Sequence, residues 1–220
     1  MKELEQTASH PGRCVLSGAF VRVEPLEPDR HATALFDALG GAGHDALWTF
    51  MSDGPWPARE DFHAALVARA ASSDPLFYAL VDPRTGRAEG YAALMRIDRA
   101  NRVIEIGHVM FGPALRRTAA ASEVFFLLAG LVFDRLGYRR LEWKCNDRNE
   151  ASKRAALRFG FRFEGVFRQH MIVKGANRDT AWFSMLDREW PARREALARW
   201  LSPGNIGPDG RQRAALARAP

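Results

Sequence analysis

The stretch that most constrains the fold is an extended segment followed by a loop of small and basic residues and then by an apolar helix. The extended segment is 103–111, whose β-branched and aromatic residues are typical of a strand. The loop Arg116–Glu123 leads into Val124–Leu136, which is apolar nearly all round and predicts a buried helix. Loop N–H groups and the positive end of the helix dipole favour an anion at such a junction. The sequence therefore predicts a phosphate-binding site between this strand and this helix.

Length and composition set broad limits. With 220 residues, 47% of them hydrophobic and 26% charged, the chain suits one globular domain. The net charge of +6 favours an anionic partner, such as nucleic acid or a phosphorylated cofactor. The cysteines, Cys14 and Cys145, lack metal-ligand spacing, so we expect free thiols and no metal. We see neither a signal peptide nor an apolar run long enough to span a bilayer, and we expect a cytoplasmic protein without a membrane partner.

The order of the predicted elements indicates a mixed α/β domain. We expect a flexible leader at 1–18, a single domain at 19–201 and a mobile tail at 202–220. Short turns favour antiparallel neighbours, while the strand, helix and strand between 103 and 145 predict a parallel pair. The predicted strands are 19–26, 76–81, 90–97, 103–111, 139–145, 161–173 and 180–186, and the predicted helices are 28–39, 58–73, 124–136, 149–159 and 192–201. The aromatic loop 44–57 is either a plug for the core or a wall of a substrate pocket.

Five short motifs and a C-terminal segment, spread over about half of the chain, carry a family resemblance. They are Glu105–His108, Arg116–Glu123, Leu136–Leu141, Asn149–Ser152, Phe159–Gly165 and the segment 178–191. Their order and spacing resemble the GNAT superfamily of acetyl-CoA-dependent N-acetyltransferases, and within it the RimJ/RimL-type enzymes that acetylate ribosomal proteins. The resemblance implies an α+β fold. Its central mixed, mostly antiparallel sheet would have about seven strands, splayed at the acetyl-CoA cleft, with helices on both faces.

The resemblance also implies where acetyl-CoA would bind. A backbone N–H near Met110 would polarise the thioester carbonyl, and Asn149 would hold the pantetheine arm. The family loop carries a glycine where this chain has Ala119, and alanine is penalised there if the position needs a positive φ. The implied cofactor-binding residues are Met110, Phe111, Arg116, Arg117, Thr118, Ala119, Ala120, Ala121, Ser122, Asn149 and Ser152.

Three residues are candidates for catalysis. Glu105 and His170 are candidate bases for the amine proton, and Ser152 would hydrogen-bond the leaving thiolate. Each has a structural alternative. Glu105 can be a salt-bridged carboxylate, Ser152 can simply fill the first turn of its helix, and His170 can have a purely structural role. His108 is a further candidate base but is more simply a packed or partly buried histidine, and Asn149 can be a helix N-cap as well as a ligand. Arg168, Arg178 and Asp179 lie either where a substrate would approach or on a solvated hairpin.

We therefore predict an N-acetyltransferase that moves the acetyl group of acetyl-CoA to a primary amine by direct attack. The acceptor is either a protein or peptide N-terminus or a small amine, and the residues do not choose between them. The alternative is a non-catalytic module that binds acyl-CoA, RNA or the ribosome. It predicts no thioester consumption and a salt-dependent affinity for nucleic acid, which we do not expect as a partner. Pairing as a homodimer stays open.

Overall fold

A computed structural model of the protein describes residues 6–205, 207 and 212–216. The strands within this part are β1 (Leu16–Ser17), β2 (Arg22–Pro25), β3 (Leu76–Val81), β4 (Ala88–Asp98), β5 (Val103–Phe111), β6 (Arg140–Asn146), β7 (Arg162–Val173) and β8 (Ala176–Leu186). The α-helices are α1 (Pro28–Leu39), α2 (Arg59–Ala71), α3 (Ala119–Gly130), α4 (Glu150–Phe159) and α5 (Trp190–Trp200). A π-helical turn, Leu131–Arg135, continues α3.

The described strands form one sheet in the order β1-β2-β3-β4-β5-β6-β8-β7. Strands β1 to β4 pair antiparallel in sequence order, and β8 pairs antiparallel with both β6 and β7. Strand β5 pairs in parallel with β6, from Val103 opposite Arg140 to Glu105 opposite Glu142. This confirms the predicted parallel pair around α3 and the mixed, mostly antiparallel α+β fold. The strand missing from the prediction of about seven is β1, whose two residues are too short for a periodic pattern.

The chain falls into two compact units. We call Gly12–Met95 with Ile106–Leu127 the N-terminal unit, and the described residues of Met1–Pro11, Arg96–Glu105 and Leu128–Pro220 the C-terminal unit. Strands β4 and β5 each contribute residues to both units.

The core of the N-terminal unit lies among α1, α2, β3 and β4. Fully buried side chains from these elements, including Leu35, Phe62 and Tyr91, form one apolar cluster. Trp48, from the aromatic loop, belongs to the same cluster and donates its indole N–H to the carbonyl of Leu39 at 2.7 Å. At Trp48 the loop therefore fills the core, as one of the two interpretations predicted.

In the C-terminal unit, the alternation of β6 separates an apolar face from a charged one. Trp143 is buried and packs against Phe159 of α4 and against Phe161, with ring centroids 6.2 and 5.8 Å away. On the opposite face, Glu142 and Lys144 form ion pairs although both are largely buried. Both faces of β6 are therefore covered, which a simple in-and-out pattern does not predict.

The leader and the tail were predicted from composition, and their mobility stays a prediction. In the C-terminal unit, the N–H groups of Ala8 and Ser9 donate to the carbonyls of Arg99 and Leu136, both at 3.0 Å. In the N-terminal unit, the Arg13 guanidinium donates to the carbonyl of Ser72 at 3.1 Å. The described part of the leader is thus anchored. Residues 1–5 of the leader and 206, 208–211 and 217–220 of the tail lie outside the described residues.

Candidate active site

The predicted phosphate site lies at the start of α3, in the N-terminal unit. The N–H of Arg116 donates to the carbonyl of Gly112 at 3.2 Å, and that of Thr118 donates to Leu115 at 3.3 Å. Helix α3 begins at Ala119, so the N–H groups of its first turn have no acceptor within the helix. The side chains of Arg116 and Arg117 are exposed beside them. Backbone donors and two guanidinium groups at one helix N-terminus fit a pyrophosphate.

The backbone angles show that Ala119 does not occupy a position that needs a positive φ. Of the described residues between 112 and 123, only Arg117 has a positive φ, at 62°. Ala119 is therefore an ordinary first residue of the helix and carries no conformational penalty. The Thr118 hydroxyl donates to the Leu115 carbonyl at 2.7 Å, and it accepts a longer bond of 3.4 Å from the N–H of Ala121. It thus acts as a helix cap.

Met110 and Phe111 end strand β5 in the same unit. The Met110 side chain is buried in the apolar core, so only its backbone is available to a ligand. A Cβ at Gly90 would lie 2.3 Å from the Met110 carbonyl oxygen, so this close approach of β4 to β5 requires glycine. His108, two residues earlier, has a φ of 48° and packs its ring 5.2 Å from that of Phe77. The packed interpretation of His108 therefore describes its position.

Glu123 was not singled out from the sequence, yet it connects α3 to the loop between β1 and β2. Its buried carboxylate accepts backbone N–H bonds from Ala19, Phe20 and Val21, at 2.8, 2.6 and 2.8 Å. A Cβ at Gly18 would lie 2.3 Å from this carboxylate. The second turn of α3 is thereby fixed to the loop between β1 and β2. A carboxylate at this point was visible in the sequence, but its three donors lie about 100 residues away.

In the C-terminal unit, Glu105 is the centre of a buried charge network. Its Oε2 lies 2.9 Å from Lys144 Nζ and 3.0 Å from Arg96 Nε, and Lys144 also pairs with Glu142 at 2.7 Å. Burial raises the pKa of Glu105, while the charges of Lys144 and Arg96 act in the opposite direction. Lys144 also lies 3.7 Å above the centroid of the Trp182 ring. The salt-bridged interpretation of Glu105 thus describes its contacts, and the raised pKa also suits a base.

Ser152 lies in the first turn of α4. Its N–H donates to the Asn149 side chain at 3.0 Å, so Asn149 is the N-cap of this helix. The Ser152 hydroxyl oxygen accepts the indole N–H of Trp143 at 2.9 Å. Burial raises the pKa of the Cys145 thiol, and a hydrogen bond with Ser152 opposes that rise. Ser152 thus contacts the Trp143 and Cys145 face of β6.

His170 stands on a bulge in the hairpin. Phe167 pairs with Thr180 and Met171 with Arg178, so three residues of β7 stand opposite Asp179 alone. The Asp179 carboxylate holds this bulge by accepting the N–H of Gln169 at 2.7 Å. The bulge places His170 Nδ1 2.9 Å from the Thr180 hydroxyl.

The surroundings of His170 favour its neutral form. Partial burial lowers the pKa of His170, and the positive charges of Arg96, Arg178 and Lys144 lower it further. A histidine that is neutral near pH 7 can accept a proton.

The predicted site residues fall into two groups. Met110, Phe111 and the loop 116–122 belong to the N-terminal unit, and the candidate catalytic residues Glu105, Ser152 and His170 belong to the C-terminal unit with Asn149. Glu105 and His170 share Lys144 and Arg96 as charged neighbours, whereas Ser152 lies at the opposite face of β6. Lys144 and Arg96 were not predicted, although the alternating charges of β6 were a signal for the first.

Comparison with known proteins gives the class of this fold and site. Residues 21–162 match the family model described as an acetyltransferase (GNAT) domain. The crystal structure of a GCN5-related N-acetyltransferase from Brucella melitensis superposes with a TM-score of 0.94, 48% identity and coverage of 96% of each chain. A probable acetyltransferase of the GNAT family from Chromobacterium violaceum gives a TM-score of 0.79 and 44% identity, over 84% of this chain and 92% of that one. The chain therefore belongs to the GNAT acetyltransferase family, whose members use acetyl-CoA as co-substrate.

A curated relative from Bacillus subtilis matches part of the chain. The chain is 32% identical over 104 residues to the Bacillus subtilis protein "Putative ribosomal N-acetyltransferase YdaF", covering 46% of this chain and 55% of that protein. The match thus spans about half the length of that relative.

Across the described residues, no helix is long and apolar enough to cross a bilayer, and no cluster of His, Cys, Asp or Glu is arranged to hold a metal ion.

Proposed function

We propose that the chain transfers the acetyl group of acetyl-CoA to a primary amine. The observation that carries the proposal is the start of α3, where first-turn N–H groups and two exposed arginines fit a pyrophosphate in a chain of the GNAT family. Acetyl-CoA supplies an activated thioester. Phe111 and the loop 116–122 would hold its phosphates, and Asn149 would hold its pantetheine arm. The N–H of Met110 would polarise its thioester carbonyl.

The side chains that would act in the reaction belong to the C-terminal unit. As the amine nitrogen bonds to the carbonyl carbon and the C–S bond breaks, His170 takes the amine proton, directly or through a water. We choose His170 as the base because its lowered pKa keeps it neutral. Glu105, which forms ion pairs with Lys144 and Arg96, is the alternative base through water. Ser152 hydrogen-bonds the departing thiolate from the other face of β6.

The acceptor is a protein or peptide N-terminus or a small amine. The name of the Bacillus subtilis relative YdaF supports the RimJ/RimL-like branch and a ribosomal-protein acceptor. We place the reaction in the cytoplasm, where acetyl-CoA and such acceptors are found. We also propose that the chain can form a homodimer.

Two measurements test the function. Calorimetry with acetyl-CoA should show binding that weakens in a variant with both Arg116 and Arg117 changed to Ala. Release of free thiol, followed with a panel of amino acids, polyamines and N-terminal peptides, should identify an acceptor, and mass spectrometry should show the added acetyl group. Absence of both binding and thiol release would refute the proposal. Binding without turnover on any acceptor would favour a non-catalytic acyl-CoA-binding module.

A further inference from the structure

Arg178, in β8, is a partly buried cation without a counterion among the described residues. Its Nε is completely shielded from solvent and has no acceptor, and its guanidinium forms no ion pair with any described residue. Burial lowers the pKa of Arg178, as expected for a desolvated charge. Other buried arginines of the C-terminal unit are satisfied: Arg140 pairs with Glu142 and Glu164, and Arg193 donates to the carbonyl of Phe159.

A shielded charged donor without an acceptor destabilises the folded protein, so its presence calls for an explanation. The carboxylates nearby cannot supply one. Glu105 is engaged by Lys144 and Arg96, and Glu142 by Lys144 and Arg140. Among the described residues of this face, the four cations Lys144, Arg96, Arg140 and Arg178 stand against the three carboxylates Glu105, Glu142 and Glu164, which leaves one positive charge uncompensated, at Arg178. An anion from outside the chain would satisfy both the charge and the shielded Nε–H.

The position of Arg178 relates this anion to the proposed base. Arg178 and Thr180 are two residues apart in β8, so they point to the same face and lie roughly 7 Å apart along the strand. Thr180 holds the ring of His170, and Arg178 is one of the charges that act on that ring. An acceptor could therefore bind Arg178 through one group and deliver an amine proton to His170 from another. The two groups would be separated by only a few bonds of the acceptor.

We propose that Arg178 binds a carboxylate of the acceptor, so that the preferred substrate is an amine that carries a carboxylate a few bonds from the reacting nitrogen. This rests on the proposed acetyl transfer and narrows its acceptor class. An amino acid and an acidic peptide N-terminus both present this chemistry. Polyamines, which carry only positive charge, are disfavoured beside Arg178.

The test compares acceptors that differ only in that carboxylate. The small-molecule arm pairs an amino acid with its amide, and the peptide arm pairs amidated peptides bearing Asp or Asn, and Glu or Gln, at the first or second position. We expect kcat/KM to favour the acidic member of at least one pair by about 10- to 100-fold, as for a charge-assisted hydrogen bond. The arm that shows the preference identifies the source of the carboxylate.

The variant Arg178→Met should abolish this preference by raising KM for the acidic acceptor, while KM for acetyl-CoA stays unchanged. Since it removes a charge without a partner, it should also leave Tm unchanged or raise it. Arg188→Met, which changes an exposed arginine just beyond β8, is the matched control and should alter neither quantity.

Three results would overturn the proposal. The first is equal kcat/KM for acidic and neutral members of every pair. The second is a rise in KM for acetyl-CoA in Arg178→Met, which would assign the anion to the co-substrate. The third is a fall in Tm of several degrees, which would make Arg178 structural. Each can occur while thiol release continues, so failure here is distinct from failure of the acetyltransferase function.

Discussion

The indole N–H of Trp143 donates a hydrogen bond of 2.9 Å to the hydroxyl oxygen of Ser152. Because the indole is a donor only, it occupies a lone pair of the serine, and the serine O–H proton can be donated either to the neighbouring Cys145 sulfur or to a leaving thiolate. The backbone N–H of Ser152 donates to the side chain of Asn149, so both the backbone and the side chain of Ser152 are held in place. Ser152 is thus held as a hydrogen-bond donor, which is the role that a leaving thiolate requires.

Replacing Ser152 with Ala should lower kcat by about 10- to 100-fold, since a preorganised donor to developing negative charge is removed. KM for acetyl-CoA should change little, because the bond strengthens only as the thiolate forms. Thiol release under saturating acetyl-CoA measures this. Trp143→Phe, which keeps the packing but loses the donor, should give a smaller decrease. An unchanged kcat in Ser152→Ala would remove Ser152 from the mechanism.

The pH dependence of kcat/KM should show an acid limb below pH 6.5. Burial and the neighbouring cations lower the pKa of His170 from its usual value, so the neutral base persists to more acidic pH and activity is lost as pH falls through the lowered pKa. His170→Gln should reduce kcat/KM by about 100-fold and abolish this limb. A limb that persists in His170→Gln would transfer the role to another group, with Glu105 the first alternative.

Removing the carboxylate of Glu123 should weaken both stability and co-substrate binding. Glu123→Ala leaves three N–H groups without this acceptor, at a cost of about 1–3 kcal/mol for each group that water cannot reach, and the bond to Val21 is buried. Urea denaturation measures the loss, and calorimetry should show a higher Kd for acetyl-CoA because α3 is no longer fixed. Gly18→Ala is an independent route to the same effect, since its Cβ would displace the same carboxylate. Normal stability in both variants would contradict this account.

Arg193 should stabilise the end of α4. Its guanidinium is buried and donates to the carbonyls of Phe159 and Arg158, and burial followed by the charge of Arg158 lowers the pKa of Arg193 to about 10. Arg193→Met removes the hydrogen bonds that the guanidinium donates to these carbonyls and should reduce the free energy of unfolding by about 1–3 kcal/mol. Urea denaturation checks this. The exposed neighbour gives the control, since Arg194→Met should cost less than about 1 kcal/mol.

Much of the fold was predictable because its signals are local. Strands β3 and β5 and helix α1 were predicted with the bounds that the structure shows, since breakers or caps mark their ends. Helix α3 begins at Ala119, five residues before the predicted start. Its first turn consists of small residues, so its hydrophobic pattern begins only at Val124. The N-cap Asn149 was also predicted, because it lies within a short motif.

The sequence alone determined the family, the element order and the candidate residues, because short-range periodicity and motif spacing are properties of the chain itself. Only the tertiary structure decided their environments. The bulge that brings His170 to Thr180, the three N–H groups around Glu123 and the missing counterion of Arg178 all depend on residues far apart or on strand register. Burial and register fix the pKa of a base and the partner of a charge, and neither is encoded in any single segment.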